Sequence, residues 1–316
     1  MSMTLPERYL AFARDEAAGR SALYEAFSTG VARDADLLSL LSALPSAKQQ
    51  PNLLFAAAKH TFGVQPDWPA FRLAAFSATM MARSTQTNEA ARCATLLPAL
   101  MQLPQPLALL EVGASAGLCL LPDRYAYDFD GHRLTPENAV APPRFVCHVE
   151  GAIPLPQRLP QVVWRAGLDL DPIDVRDDDQ CGWLEALVWP DQEQRLHHLR
   201  AALAVARRDP PTVLRGNLLH DLARLAAEAP RHATLVVFHT AVLGYVSAQA
   251  QRDAFVRSVG TLDAVWISNE SPGVFPDIAA RLSMRVPRGK FLLAVDGRPT
   301  AFSDPHGATL NWIAEA

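Results

Sequence analysis

The chain has 316 residues, of which 49% are hydrophobic and 20% are charged, and its formal net charge is −4 with a pI of about 6.1. This composition can bury a large core without disulfides or a structural metal, and the acidic balance argues against a broad nucleic-acid-binding face. No apolar run reaches the roughly 18–20 residues of a membrane span, and the N-terminus lacks the pattern of a signal peptide. We therefore expect a cytoplasmic protein that uses neither membrane nor nucleic acid as a partner.

Residues 1–105 are predicted to form a helical region. The segment 51–63, PNLLFAAAKHTFG, begins on proline and ends on glycine, which is the usual asymmetry of a helix. FRLAAFSATMMA (71–82) and EAARCATLLPALMQL (89–103) are further helical segments, and we expect about five helices in all. Strand-like alternation is absent from this part of the sequence.

From residue 106 to residue 316 the pattern changes to strands that alternate with helices, which predicts an α/β domain with a largely parallel sheet. A helix is expected directly after the first strand, in LCLLPDRYA. An insertion at about 127–160 carries a hairpin around Asp130 and Gly131, and RFVCHVEG (144–151) is a candidate for another strand. A closing hairpin around Asp296 and Gly297 would add an antiparallel strand. The expected sheet strands are 107–112, 161–170, 212–219, 233–240, 262–270, 290–297 and 299–313.

Two chemistries compete for the turn after the first strand, in LLEVGASAGLCLL (109–121). As G-x-S-x-G, the turn would present Ser115 as a nucleophile, with His306 as its base and an acid such as Asp277 or Asp296 as the third member of the triad. As E-x-G-x-x-x-G from Glu111, it would let a nucleotide-like cofactor approach the backbone. Three observations count against a nucleophile elbow, the strand–turn–helix that presents a catalytic serine. Its strand has no need for a carboxylate such as Glu111, and no loop that could form an oxyanion hole precedes it. The predicted sheet also begins at this strand, whereas the elbow strand of a hydrolase lies in the middle of its sheet. The cofactor interpretation explains more.

In the cofactor interpretation, the carboxyl edge of the sheet binds the ligand, as in other open α/β sheets. S-adenosylmethionine carries an ammonium and a sulfonium, so the carboxylate of Glu111 would meet a cation. Gly113, Ala114, Ser115 and Gly117 would complete the turn. Asp169, at the end of the next strand, is the candidate for the ribose hydroxyls, although a turn or helix-capping acid is the alternative.

Other polar residues end strands at the same predicted edge. His239 is a candidate general base, Glu270 is a candidate for orienting a polar substrate, and His306 lies in the closing hairpin. Each has a plainer structural alternative as a hydrogen-bonded, capping or turn residue. Asn217 either contacts the adenine ring or forms an ordinary Gly-Asn turn. A metal site is not expected, because the acidic run at 169–179 lacks the glycine and terminal glutamate of a calcium loop.

The residues Asn88, Glu89 and Arg92 open the helix before the first strand. They either cover a cofactor cleft or cap a helix and form a surface pair, and the sequence favours the second interpretation.

The chain resembles an uncharacterised bacterial domain-of-unknown-function family that is grouped with class I S-adenosylmethionine-dependent methyltransferase-like folds. The resemblance runs nearly from end to end. It implies a doubly wound, mostly parallel, seven-stranded Rossmann-like sheet and a probable cofactor, but no known substrate. The motifs that carry it are PNLLFAAA, TNEAARCATLLP, LLEVGASAGLCLLPDRYAY, RAGLDLDPIDV, WLEALVWPDQEQR, VVFHTAVLGYV and DGRPTAFSDPHGATLNW.

Our hypothesis from the sequence is therefore methyl transfer from S-adenosylmethionine to an unidentified small molecule. His239, Glu270 and His306 are its candidate catalytic residues, and residues 1–105 are expected to cover the pocket. A serine hydrolase that uses Ser115 and His306 remains an alternative, as does a non-catalytic cofactor-binding module. The sequence does not indicate an oligomeric state.

Overall fold

A computed structural model describes residues 3–72, 77–86, 88–137, 139 and 141–313. The chain divides into two compact units, one formed by Met1–Thr87 with Asp178–His197 and the other by Asn88–Asp177 with His198–Ala316. The predicted boundary at residue 105 thus lies inside the second unit, because the helix before the first strand belongs with the sheet. Within the described residues, no helix is both long enough and apolar enough to cross a membrane.

The first unit is helical, as its sequence predicts. Pro51 starts a helix that ends at Gly63, and Phe55 on that helix packs against Tyr24, with ring centroids 4.8 Å apart. The predicted helix at 71–82 is described only at its ends, since residues 73–76 lie outside the described part of the chain. The α-helices of the described residues are α1 (Leu5–Phe12), α2 (Ala22–Val31), α3 (Ala35–Ser42), α4 (Pro51–Phe62), α5 (Trp68–Arg72), α6 (Ser77–Ala82), α7 (Arg92–Met101), α8 (Asp178–Leu187), α9 (Glu193–Arg208), α10 (Leu222–Ala226), α11 (Gln249–Val259) and α12 (Pro276–Ala279).

The second unit is built on a mixed sheet whose described strands number nine, in the order β5-β12-β11-β10-β9-β8-β1-β6-β7. In the part of the chain that the structure describes, the strands are β1 (Leu107–Val112), β2 (Ala126–Phe129), β3 (His132–Leu134), β4 (Arg144–Val146), β5 (His148–Glu150), β6 (Val162–Asp169), β7 (Thr212–Arg215), β8 (Thr234–Thr240), β9 (Val265–Glu270), β10 (Phe291–Val295), β11 (Arg298–Ser303) and β12 (Thr309–Trp312). The expectation of a mostly parallel α/β sheet is confirmed, but the expected total of seven strands is not.

Five neighbouring strands, β7, β6, β1, β8 and β9, run parallel. In chain order within this group, the sheet reads 3-2-1-4-5, which is the arrangement of doubly wound nucleotide-binding sheets. The strand order reverses between β1 and β8, and ligands of such sheets bind outside the carboxyl ends at this switch point. β1 is the middle strand of this parallel group, and all six of its residues are buried.

The remaining strands of this sheet differ from the prediction. The closing segment forms three antiparallel strands, β10, β11 and β12, instead of two. The expected strand at 144–151 is broken at Cys147, so that β4 pairs with β2 in a separate three-stranded sheet while β5 pairs with β12. The predicted hairpin of the insertion is confirmed in β2 and β3.

The helix expected after β1 is absent. Residues 113–125, all of which are described, contain only two short 3-10 turns, Leu118–Leu120 and Pro122–Arg124. Proline disfavours helical backbone in the residue before it, and Leu121 has φ −113° and ψ 37°. An α-helix begun after Gly117 would therefore be interrupted within about one turn.

Candidate functional site

Glu111 is the central feature of the carboxyl edge of β1. It lies between Gly167 of β6 and Phe238 of β8, and only 4% of its surface is exposed. Its Oε2 atom has no hydrogen-bond partner among the described residues. Burial raises the pKa of Glu111 well above its usual range, the neighbouring Cys119 and Asp169 raise it further, and the Arg92 guanidinium opposes them. A buried, unpaired carboxyl oxygen of this kind is costly in a folded protein.

The turn after Glu111 is held by strand β6. The amides of Gly113 and Ala114 both donate to the carbonyl of Leu168, over 2.7 and 3.1 Å. Gly113 has φ +71°, a conformation that favours glycine. A Cβ atom on Gly113 would lie 2.4 Å from Cγ1 of Val242, so this face of the glycine already carries a side chain of the segment after β8.

The absence of a helix after the turn weakens two interpretations of this segment, a dinucleotide site and a nucleophile elbow, because each requires a helix at this position. A dinucleotide binder places its pyrophosphate on a helix N-terminus, and residues 113–125 supply none. A nucleophile elbow likewise requires strand, turn and helix. Ser115 has a positive φ of 49°, as an elbow serine does, yet it is buried. The hydrolase alternative therefore stays a prediction, which labelling of Ser115 by a fluorophosphonate would support.

Asp169 ends β6 beside this turn, where its carboxylate organises two loops. Oδ2 accepts from the amide of Ser115 over 2.7 Å, and Oδ1 accepts from the amide of Asp171 over 2.8 Å. Asp169 is therefore a turn-forming acid, which is the alternative that the sequence also offers for it. A carboxylate offers about four lone-pair positions, so each oxygen retains capacity for a further donor such as a hydroxyl.

Replacing Asp169 by alanine is expected to lower the free energy of unfolding by about 2 kcal/mol, because two backbone amides lose a charged acceptor. Urea unfolding followed by circular dichroism measures the loss. The matched control is Asp209→Ala, which removes an exposed ion pair with Arg124 and should cost less than about 1 kcal/mol. Equal losses in the two variants would contradict the organising role of Asp169.

His239 and Glu270, the candidate base and substrate-orienting residue, contact each other in the interior. The His239 ring is fully buried, and its Nδ1 lies 2.7 Å from Oε1 of Glu270. Its Nε2 accepts from the indole Nε1 of Trp266 over 3.1 Å. Both ring nitrogens are therefore engaged, and a base role for His239 would require Trp266 to move. The catalytic assignment stays a prediction, while the hydrogen bonds describe a structural network.

His306 lies apart from that pair, in the turn between β11 and β12. Its Nδ1 is 3.4 Å from Oε2 of Glu89, and its side chain is 43% exposed. Of the three candidate catalytic residues, it is the one whose side chain solvent reaches. The carboxylate that it faces belongs to the segment before α7, not to the acids Asp277 and Asp296 that a hydrolase triad would use.

The segment that precedes and begins α7 is more central than the sequence indicates. Arg92 is buried and donates to the carbonyls of Thr240 and Pro305, over 3.0 and 2.7 Å. Asn88 donates to the carbonyl of Ala114 over 2.9 Å, and its Oδ1 is buried without a hydrogen-bond partner in the described part of the chain. The interpretation of these residues as a surface pair is wrong. Arg92 is buried, and the hydrogen bonds of Asn88 and Arg92 connect this segment to the turn after β1 and to the end of β8.

Asn217 forms a local turn. Its side-chain oxygen accepts from the amide of Leu219, and its own amide donates to Asp221, each over 2.8 Å. This is the Asx geometry that asparagine favours. The plainer alternative, a Gly-Asn turn, accounts for these two hydrogen bonds, and the role of Asn217 toward an adenine ring stays a prediction.

Sequence reasoning missed three residues that contact the candidate site residues: Val242, Trp266 and Cys119. Val242 covers Gly113, Trp266 binds His239, and the Cys119 thiol lies against Glu111 and donates to the carbonyl of Glu89. All three are apolar or weakly polar, so nothing in the sequence separates them from ordinary core residues.

The fold and this edge together define an α/β protein with a large, mostly parallel sheet and a buried acid at the carboxyl edge of β1. A family profile described as "uncharacterized protein conserved in bacteria (DUF2332)" matches residues 6–76 and 67–312. The chain belongs to this family. Neither a curated protein nor a solved structure matches it.

Proposed function

We propose that the α/β unit binds S-adenosylmethionine at the carboxyl edge of β1 and β6 and transfers its methyl group to a small-molecule acceptor. The observation that carries the proposal is the buried Glu111 carboxyl, whose Oε2 has no partner within the described residues. Folded proteins rarely leave a buried polar atom unpaired unless a ligand or water completes it. An ammonium donor beside Glu111 would satisfy this atom.

The charge around Glu111 supports a cationic ligand. Burial raises the pKa of Glu111, Cys119 and Asp169 raise it further, and Arg92 opposes them, so the surroundings disfavour ionisation of this carboxyl group. An ammonium group would stabilise the ionised carboxylate. The side chain of Asn88 donates to the carbonyl of Ala114 in the same turn, and its buried Oδ1 has no hydrogen-bond partner among the described residues. Oδ1 therefore offers a second acceptor for an ammonium group.

The neighbouring residues suit an adenosine-type ligand without phosphates. Asp169 retains lone pairs for ribose hydroxyls, and the strand order puts it beside the switch point. The lack of a helix N-terminus in residues 113–125 disfavours a pyrophosphate and does not affect a ligand that carries none. When bound, S-adenosylmethionine supplies an electrophilic methyl group on sulfur, and the chain would contribute positioning of its acceptor.

A ligand series tests this proposal. Equilibrium dialysis should show that S-adenosylhomocysteine binds, that adenosine binds more weakly because it lacks the ammonium, and that NAD does not compete. Binding of NAD in preference to S-adenosylhomocysteine would refute the proposal, as would equal binding of adenosine and S-adenosylhomocysteine. Transfer of labelled methyl groups from S-adenosylmethionine into small-molecule fractions would then identify the acceptor.

The affinity for S-adenosylhomocysteine is expected to rise with pH. Burial raises the pKa of Glu111, so below that pKa the carboxyl is protonated and must release its proton before it can pair with an ammonium. The dissociation constant should fall by up to about tenfold per pH unit until the pKa is passed. Titrations that begin near the ordinary pKa of glutamate, about 4.3, and extend to higher pH measure the trend. A constant affinity, or one that falls with pH, would argue against pairing with Glu111.

A further inference from the structure

The segment that follows β8 covers the turn proposed to hold the cofactor. Ala241 has a positive φ of 56°, which L-residues other than glycine, asparagine and aspartate seldom adopt. The next residue, Val242, is half-buried, and both of its methyl carbons lie within 2.5 Å of the position that a Cβ atom on Gly113 would take. The isopropyl group therefore fills the open face of Gly113.

One carboxylate oxygen holds this segment in place. Oε1 of Glu270 accepts from the amide of Val242 over 2.8 Å and from the amide of Leu243 over 3.0 Å. It also receives the Nδ1–H of His239 over 2.7 Å. Glu270 is buried, so these bonds are protected from water. Charge-assisted bonds of this kind are the strong ones in proteins.

The orientation of Glu270 is fixed in turn by Trp266. An indole N–H can only donate, so Nε2 of His239 must be the acceptor of the bond from Trp266. The proton of the neutral ring is then on Nδ1 and is donated to Glu270. A continuous chain of hydrogen bonds thus runs from Trp266 of β9 through His239 of β8 and Glu270 to the amide of Val242.

We propose that Val242 is a gate over the cofactor turn and that Glu270 is the positioning residue that holds the gate closed. The inference rests on the proposed function, since the gate matters only if a ligand approaches Gly113. A ligand chain reaches the backbone of Gly113 when the Val242 side chain moves away. The energy needed to displace Val242 then lowers the observed affinity, as in any binding site that must open.

The first test compares Val242→Ala with Val259→Ala, a valine of α11 that is buried in the same core. We expect Val242→Ala to bind S-adenosylhomocysteine at least about fivefold more tightly than the wild type, and Val259→Ala to leave the affinity unchanged. If the wild type binds and the two variants do not differ, the gate is refuted and the proposed function stands. If the wild type does not bind at millimolar ligand, both are refuted.

The second test needs no ligand. In Glu270→Gln, the neutral amide oxygen is a weaker acceptor than the carboxylate oxygen, so hydrogen exchange at Val242 and Leu243 should accelerate at least about tenfold. The matched control is Glu150→Gln, at the far edge of the same sheet, which should leave both amides unchanged. A folded Glu270→Gln protein with unchanged exchange at these amides would refute the positioning role.

Discussion

Replacing Glu111 by glutamine is expected to weaken S-adenosylhomocysteine binding by about 100-fold or more and to make the ligand-free chain more stable. The loss of affinity follows because a buried charge pair loses one partner, a change that typically costs about 2–5 kcal/mol. The gain in stability follows because Glu111 must either take up a proton on folding or bury a charge, and glutamine does neither; we expect the gain to be about 1–2 kcal/mol at neutral pH. Opposite signs for binding and stability distinguish a ligand-binding acid from a structural one.

The gain in stability has a defined pH dependence. Because burial raises the pKa of Glu111 in the folded chain, the folded state holds this proton more tightly than the unfolded state does. The wild type therefore loses stability as the pH rises from the ordinary pKa of glutamate through the raised one, and Glu111→Gln lacks this loss. Urea unfolding across this range measures it, with Glu150→Gln as the exposed control. A variant that loses stability at neutral pH would contradict the account.

Replacing Arg92 by methionine is expected to lower the free energy of unfolding by about 3 kcal/mol. Methionine keeps much of the side-chain volume but leaves the carbonyls of Thr240 and Pro305 without their charged donors. It also removes the cation that opposes the raised pKa of Glu111. Buried groups that lose a charged partner are among the costliest single changes in proteins. Urea unfolding followed by circular dichroism measures the effect.

The matched control for this change is Arg224→Met. Arg224 is exposed on α10 and makes only long ion pairs, 3.7 and 3.6 Å, with Asp221 and Glu228. Such pairs contribute less than about 0.5–1 kcal/mol. If Arg92→Met costs no more than Arg224→Met, Arg92 does not tie the end of β8 to the turn between β11 and β12.

The parallel strands and the hairpin of the insertion show how much of the fold local sequence patterns can predict. Apolar runs that end in polar residues predict β1, β6, β8 and β9 because a doubly wound sheet buries such strands on both faces. The hairpin is predictable because an Asp-Gly pair favours the positive φ angles that a tight hairpin turn requires. Asp130 and Gly131 adopt such angles, 48° and 96°.

Other features depend on contacts that a local pattern does not contain. The break at Cys147 separates β4 from β5, because each half pairs with a different partner strand. The segment LCLLPDRYA has helical periodicity, yet the hydroxyls of Tyr125 and Tyr127 donate to the carbonyls of Leu118 and Pro122 and keep it in short turns. Tertiary contacts of this kind override local propensity.

The candidate site divides in the same way. The position of Glu111 and Asp169 at one edge of the sheet was predictable, because parallel strands bring their carboxyl ends together there. The burial of Arg92 was not, since an arginine at the start of a helix usually lies at the surface. Nor was the coupling of His239 to Glu270 and Trp266, because it depends on the register between β8 and β9.

Calorimetric titration of the wild-type chain with S-adenosylhomocysteine tests the central claim most directly. We predict saturable binding at one site per chain, with protons released to the buffer as Glu111 ionises to meet the ligand's ammonium. Absence of any heat of binding at millimolar ligand, in buffers of different ionisation enthalpy, would contradict it.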